Sequence, residues 1–165
     1  MAVTIAANSV LGYRQLEPNH LSAPRNGHVY AQLPAASSIT TLEQGTFVKY
    51  DYENGEVNFT GDGPWMLVYN EEKLYDTLHQ MHRDFALKAG DMYGGVMTPR
   101  VFLLEPGDIF TTNNLADGTY TLGGYLKVGT SGVLEAGTAA TDGFKIIKET
   151  TLPDGQAAVK VQVIA

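Results

Sequence analysis

The sequence predicts a mainly β protein: an antiparallel β-barrel or sandwich with one short helix and an extended N-terminal arm. Three observations lead there. From about Leu42 onward, short apolar runs recur between clusters of Gly, Asn and Asp, the punctuation of strands joined by turns. Asn54–Gly55 stands between two of these runs, and Asn-Gly is a strong short-range hairpin signal because both residues tolerate the positive φ of a type I′ turn. Near the C-terminus Val159, Val161 and Val163 alternate with Lys160 and Gln162, the period of two expected where one strand face is buried and the other wet.

The 165 residues suit one domain, or one domain with an appendage, and the composition favours the second. Residues 1–38 form the appendage. They hold Pro18, Pro24 and Pro34, four of the five serines, and neither helical nor sustained strand periodicity. Scattered apolar residues (Val3, Ile5, Val10, Leu11, Tyr13 and Leu16, then Leu21, Tyr30 and Leu33) still make this stretch too apolar for a solvated linker. Such a segment is ordered by lying along something else, its own body or a neighbour. These nine side chains are the expected interface residues of an arm, and residues 39–165 the β-rich body.

Within the body, Phe47–Tyr52 and Val57–Phe59 flank the Asn-Gly turn, and Gly61-Asp-Gly-Pro64 closes the hairpin. Trp65-Met-Leu-Val-Tyr69 is uniformly apolar and predicts a buried strand. Asn70 with Glu71 and Glu72 forms a helix start, with carboxylates at the positive end of the helix dipole. Leu74, Leu78, Met81 and Phe85 then share one helical face, predicting a helix near 71–82, although Phe85–Lys88 also fits a strand. Val101–Leu104 and Ile109–Thr112 flank Pro106-Gly-Asp108 as a strand–turn–strand unit. Tyr125–Val128 leads through Gly129-Thr-Ser-Gly132 to Val133–Leu134, and Phe144–Lys148 with Ala158–Ile164 close the fold around Pro153-Asp-Gly155. Gly45–Gly55 and Gly124–Gly132 share a local pattern, which two hairpins of one β fold produce without duplication.

Charge and composition exclude several classes of function. The net charge is −7, and residues 1–40 carry +1 of it, so the remainder holds −8. Only 11 Lys and Arg are present, scattered singly, which excludes a phosphate-backbone or anionic-membrane footprint. The absence of cysteine removes disulfides, thiolate metal sites and a cysteine nucleophile. No run reaches the length of a membrane span, and the first twenty residues lack the pattern of a signal peptide, so synthesis in the cytoplasm is expected.

No catalytic, cofactor-binding or metal site is expected. Ser131 lies in a turn and outside a GxSxG context. His79 and His82 are three apart with Asp76 and Asp84 nearby, but the H-E-x-x-H pattern is missing. His20 and His28 have no ligand spacing. Asp51–Gly55 is an imperfect match to a calcium loop, its Gly one position early and no Glu at the twelfth place, and a hairpin turn accounts for it better. Asn58-Phe-Thr60 is a formal glycosylation sequon on a strand. Nine Tyr could line a sugar or partner groove, Tyr50 and Tyr52 sharing one strand face, although strand tyrosines more commonly edge a core.

Residues 45–55, Trp65–Tyr75, Pro99–Phe102, Gly107–Asn113 and Ala158–Val163 together resemble small β-rich virion structural proteins of tailed bacteriophages. Tyr125–Leu134 is similar to a turn common in capsid decoration proteins. The resemblance spans roughly 45–165 and implies a non-enzymatic protein on the outer surface of the virion. Its implied partner is the major capsid protein of the same phage, with a homo-oligomer, a trimer favoured, reinforcing contacts between capsomers. Its implied origin is the host cytoplasm, and neither a cofactor, nucleic acid nor a membrane is implied. An acidic body suits an exterior position rather than one against packaged DNA. The alternatives are a β-domain that binds a glycan or small molecule, a tail or head–tail component, and an enzyme whose site is too dispersed to see.

Overall fold

The computed structural model describes residues 2–70 and 85–165. The helix expected near 71–82 lies outside them, as do His79 and His82. In the N-terminal stretch the elements are β1 (Ala2–Ile5), β2 (Leu16–His20), a single helical turn α1 (Ala23–Asn26) and β3 (Val29–Tyr30). Next come β4 (Thr41–Glu43), β5 (Phe47–Asp51), β6 (Glu56–Asn58) and β7 (Trp65–Val68). Then follow β8 (Ala86–Lys88), β9 (Val101–Leu103), β10 (Ile109–Thr112) and β11 (Gly118–Thr121). The chain ends with β12 (Tyr125–Val128), β13 (Leu134–Ala136), β14 (Phe144–Thr151) and β15 (Ala157–Val163).

The fold is mainly β and sandwich-like, and its sheets do not close into a barrel. A six-stranded sheet runs β13-β12-β14-β15-β10-β2, and a five-stranded sheet runs β3-β9-β7-β5-β6. Two short ladders, β1-β11 and β4-β8, complete it. Every ladder between these strands is antiparallel.

The five-stranded sheet is buried on both faces. In β7, Leu67 points into a core with Phe110, Leu126, Phe144 and Val161 of the larger sheet. Its neighbours Met66 and Val68 point the other way, into a second core closed by Ile39, Leu42, Leu87 and Met97. Adjacent residues of a strand face opposite sides, so a strand covered on both must be apolar at every position. That explains the uninterrupted Met66-Leu-Val68. By contrast β15 buries Val159, Val161 and Val163 and leaves Lys160 and Gln162 half-exposed, as its alternation predicts. The first core centres on three rings: Phe47 lies 5.3 Å from Phe144 and 6.3 Å from Phe110, in tilted and edge-on geometries favourable for aromatic pairs.

The stretch to residue 38 lies along its own body and belongs to its sheets. β1 pairs with β11, β2 forms the edge of the larger sheet beside β10, and β3 forms the edge of the smaller one beside β9. A buried polar seam ties it in further. Gln15 N–H donates to Asn113 Oδ1 (2.7 Å), the Thr112 hydroxyl donates to the Gln15 carbonyl (2.7 Å), and the Arg14 guanidinium donates to the carbonyls of Asn113 and Leu115. Asn114, on the same turn, donates to the Gln44 carbonyl (3.0 Å) and to Thr46 Oγ1 (3.1 Å), at the start of β5. Backbone groups along this seam are thus paired with amide, hydroxyl and guanidinium side chains.

One turn differs from its sequence reading. β5 and β6 do form a hairpin, but Asp51 pairs with Glu56, which leaves a four-residue loop 52–55 in place of a two-residue type I′ turn. Only Gly55 has positive φ (+68°); Asn54 does not. The Asp51 carboxylate selects this loop by accepting from the backbone N–H of Glu53 (3.0 Å) and of Asn54 (3.1 Å), an Asx turn. β9 and β10 flank Gly107 as the expected strand–turn–strand unit, and because they belong to different sheets the turn carries the chain from one sheet to the other.

Candidate docking surfaces

The nine apolar residues assigned to an arm interface have mostly been absorbed by the chain itself. Ile5 and Leu16 are buried in the first core, with Val3 and Leu21 packed on it. Tyr30 and Leu33 pack against the second core. The Tyr13 ring lies under the Lys88 ammonium, 4.6 Å from its centroid. Val10 is half-buried, and Leu11 alone is open to solvent, at 70% exposure. The reason is edge pairing: once β1, β2 and β3 join the sheets, their inward side chains face the same cores as the rest. A partner therefore meets Leu11 and little else of this set.

Among the described residues Leu122 is also exposed, and two further surfaces gather apolar groups. The first is the loop 92–96. Met92 packs against the second core and Met97 is fully buried, and between these anchors the chain turns outward through the 3-10 turn Tyr93–Gly95. Tyr93 is completely exposed and Val96 is 56% exposed. The Gly95 N–H donates to the Met92 carbonyl (3.0 Å), which fixes the base of the turn. A large aromatic held away from its own protein between half-buried Met92 and buried Met97 is a candidate contact residue. Sequence reasoning saw only irregular backbone here; the available signal was a Gly-Gly pair bracketed by Tyr and Val in a stretch with no strand period.

The second is a groove of about 350 Å³ at the end of the second core. Its floor is a diagonal across the five-stranded sheet: Tyr30 on β3, Leu103 on β9, Met66 on β7 and Tyr50 on β5. Leu33 and Pro64 wall it, and Tyr52 and Gln32 stand at its rim. The Tyr50 and Tyr52 rings meet edge-to-face, centroids 4.7 Å apart. The structure thus brings Tyr30, twenty positions before Tyr50 and three strands away from it in the sheet order, into one concavity with the two tyrosines that the sequence places on one strand face.

The residues weighed for chemistry are engaged otherwise or lie apart. Ser131 is exposed on the turn between β12 and β13. Asp51 is saturated by donors: besides its two backbone bonds it accepts from Asn54 Nδ2 (3.0 Å) and Asn58 Nδ2 (2.9 Å). These bonds, those from Asn54 foremost, hold its carboxyl below the usual range. Among the described residues no group of three or more His, Asp or Glu is placed to hold a metal ion. Burial raises the Tyr120 phenol above its ordinary value, and its hydroxyl donates to the Ala116 carbonyl (2.8 Å), a structural bond under the β1-β11 ladder. No protein-family model, curated protein or solved structure matches the chain.

Proposed function

We propose that this chain is a non-enzymatic structural protein of a tailed-phage particle, which docks on the outside of the assembled head and bridges neighbouring capsomers. One observation carries the reading: a twin-core β body that projects Tyr93 and Val96 on a loop, with Leu11 as a further exposed apolar contact. Tyr is among the residue types enriched at protein interfaces, because it adds a large contact area at low conformational cost. The phage-like phrases in β5, β7, β10 and β15 supply the class of partner, the major capsid protein. A standard interface of ~1,600 Å² is within reach of a body this size, and a trimer would add avidity through repeated weak contacts.

The acidic body sets the expected physics of docking. With −8 outside the first 40 residues, charge would oppose approach to an acidic shell, so the attraction must come from apolar area and shape. The direct test is occupancy of capsids depleted of this protein, measured by co-sedimentation with wild type and with Tyr93→Ala. The proposal expects saturable binding by wild type and a clear loss in the variant. Failure to bind heads, with binding to purified tails instead, would move the chain to the tail.

A further inference from the structure

We propose that the groove between Tyr30, Tyr50 and Tyr52 is a binding site for a neutral saccharide. The argument starts from what lines it. Four of its side chains are aliphatic or proline, three are tyrosines and one is a glutamine; none is charged. In a protein of net charge −7, an uncharged concavity selects against ionic ligands, since nothing within it would offset the desolvation of a charge. At about 350 Å³ it sits near the small end of the usual range for small-molecule sites, ~300–1,000 Å³, room for one or two rings of a chain that continues into solvent.

The polar groups are of the kind a sugar requires. A pyranose ring presents an apolar C–H face and a rim of hydroxyls that both donate and accept. A phenol matches both: its ring packs on the C–H face and its hydroxyl also donates and accepts. A proline-rich peptide, the other ligand suited to tyrosine grooves, offers only acceptors at its prolines and uses less of this capacity.

The site is also held in shape before any ligand arrives. Gly63 lies so close to Tyr50 that a Cβ there would come within 2.9 Å of both the Tyr50 Cβ and its carbonyl oxygen, and Gly63 N–H donates to that carbonyl (2.8 Å). This contact fixes Tyr50 from one side and sets Pro64 as a wall. The Asx turn of Asp51 fixes the loop that carries Tyr52. Preorganised rings lose little conformational freedom on binding, which is what a small, half-open site needs to bind at all.

The inference is independent of head binding and is tested on the purified full-length chain. The probe is an immobilised panel of neutral oligosaccharides built from glucose, galactose, mannose and N-acetylglucosamine, followed by calorimetric titration of the best binder. The expected result is saturable binding that falls about tenfold or more in Tyr52→Ala, with Tyr52→Trp retaining it and the distant Leu122→Ala unchanged. Tyr52 is 65% exposed, so its replacement leaves the core intact. Absence of saturable binding to the whole panel would overturn the inference. So would binding that is indifferent to Tyr50→Ala and Tyr52→Ala combined, or groove binding by a decaproline peptide and by none of the sugars.

Discussion

Gln44 and Asn70 exchange two hydrogen bonds in the interior: Gln44 Nε2 donates to the Asn70 carbonyl (2.8 Å), and the Asn70 N–H donates to Gln44 Oε1 (2.7 Å). One side-chain amide thereby completes the backbone bonding at the end of β7, where no further strand residue is available. Asn70 extends the arrangement, its Oδ1 accepting from the Arg100 N–H (3.0 Å). Gln44 has no solvent exposure, so its replacement leaves buried groups unpaired. Gln44→Ala should cost about 2–4 kcal/mol, the penalty for stranding a buried donor and acceptor. Urea unfolding would show this as a lower midpoint at unchanged slope.

The N-terminal stretch is predicted to be integral to folding. Leu16→Ala should cost about 2–5 kcal/mol, as for a leucine removed from a packed core. A fragment beginning at residue 39 loses β1, β2 and β3 together with Ile5, Leu16 and Ala23 of the first core. It is expected to lack a cooperative thermal transition. A fragment that melts like the full chain would show that the sheets are complete without those edges.

Two glycines with similar φ separate conformational strain from steric clash. Gly55 (φ +68°) has open space where a Cβ would go, whereas a Cβ on Gly132 (φ +75°) would collide with the Phe47 carbonyl oxygen. That close approach exists because the Phe47 N–H donates to the Gly132 carbonyl (2.7 Å), tying the β12–β13 turn to β5 across the sandwich. Gly55→Ala should therefore cost about 1–2 kcal/mol, the left-handed penalty alone. Gly132→Ala should cost well beyond that. Thermal melts of the two variants side by side make the comparison.

Acid should weaken the protein through its loop carboxylates. Asp142 accepts from the Thr138 and Ala139 N–H groups (2.6 and 2.9 Å), and these bonds lower its pKa, as those from Asn54 lower that of Asp51. A carboxyl whose folded pKa lies below its unfolded value binds fewer protons in the native state. Its contribution is present above the unfolded value, about 3.9 for Asp, and is lost as pH falls through the folded one. The melting temperature should drop below about pH 4, and Asp142→Ala should show a smaller drop over the same range.

How legible this was in the sequence follows from the range of the interactions. β7 and β15 could be read because the faces they bury are written into their own residues, Met66-Leu-Val68 on both sides and Val159, Val161 and Val163 on one. Loop 52–55 was located but mistyped, because the Asp51 side chain outweighs the Asn-Gly preference. The first 38 residues were opaque for a different reason. β1, β2 and β3 are edge strands of two to five residues whose partners lie about 70–120 positions away, so no local period marks them. The groove shows the same split. Tyr50 and Tyr52 stand two apart in sequence and their rings meet, but Tyr30 joins them only through the sheet order β3-β9-β7-β5.

The measurement that bears most directly on the proposed role is occupancy of depleted heads as a function of salt. The proposed docking through Tyr93, Val96 and Leu11 is apolar, and the charge on the body would oppose approach to an acidic shell, so screening should leave occupancy unchanged or raise it slightly between low and high salt. Tyr93→Ala should lower occupancy at every salt concentration. Occupancy that falls steeply as salt rises, or that is the same for Tyr93→Ala and wild type, would contradict docking by this loop.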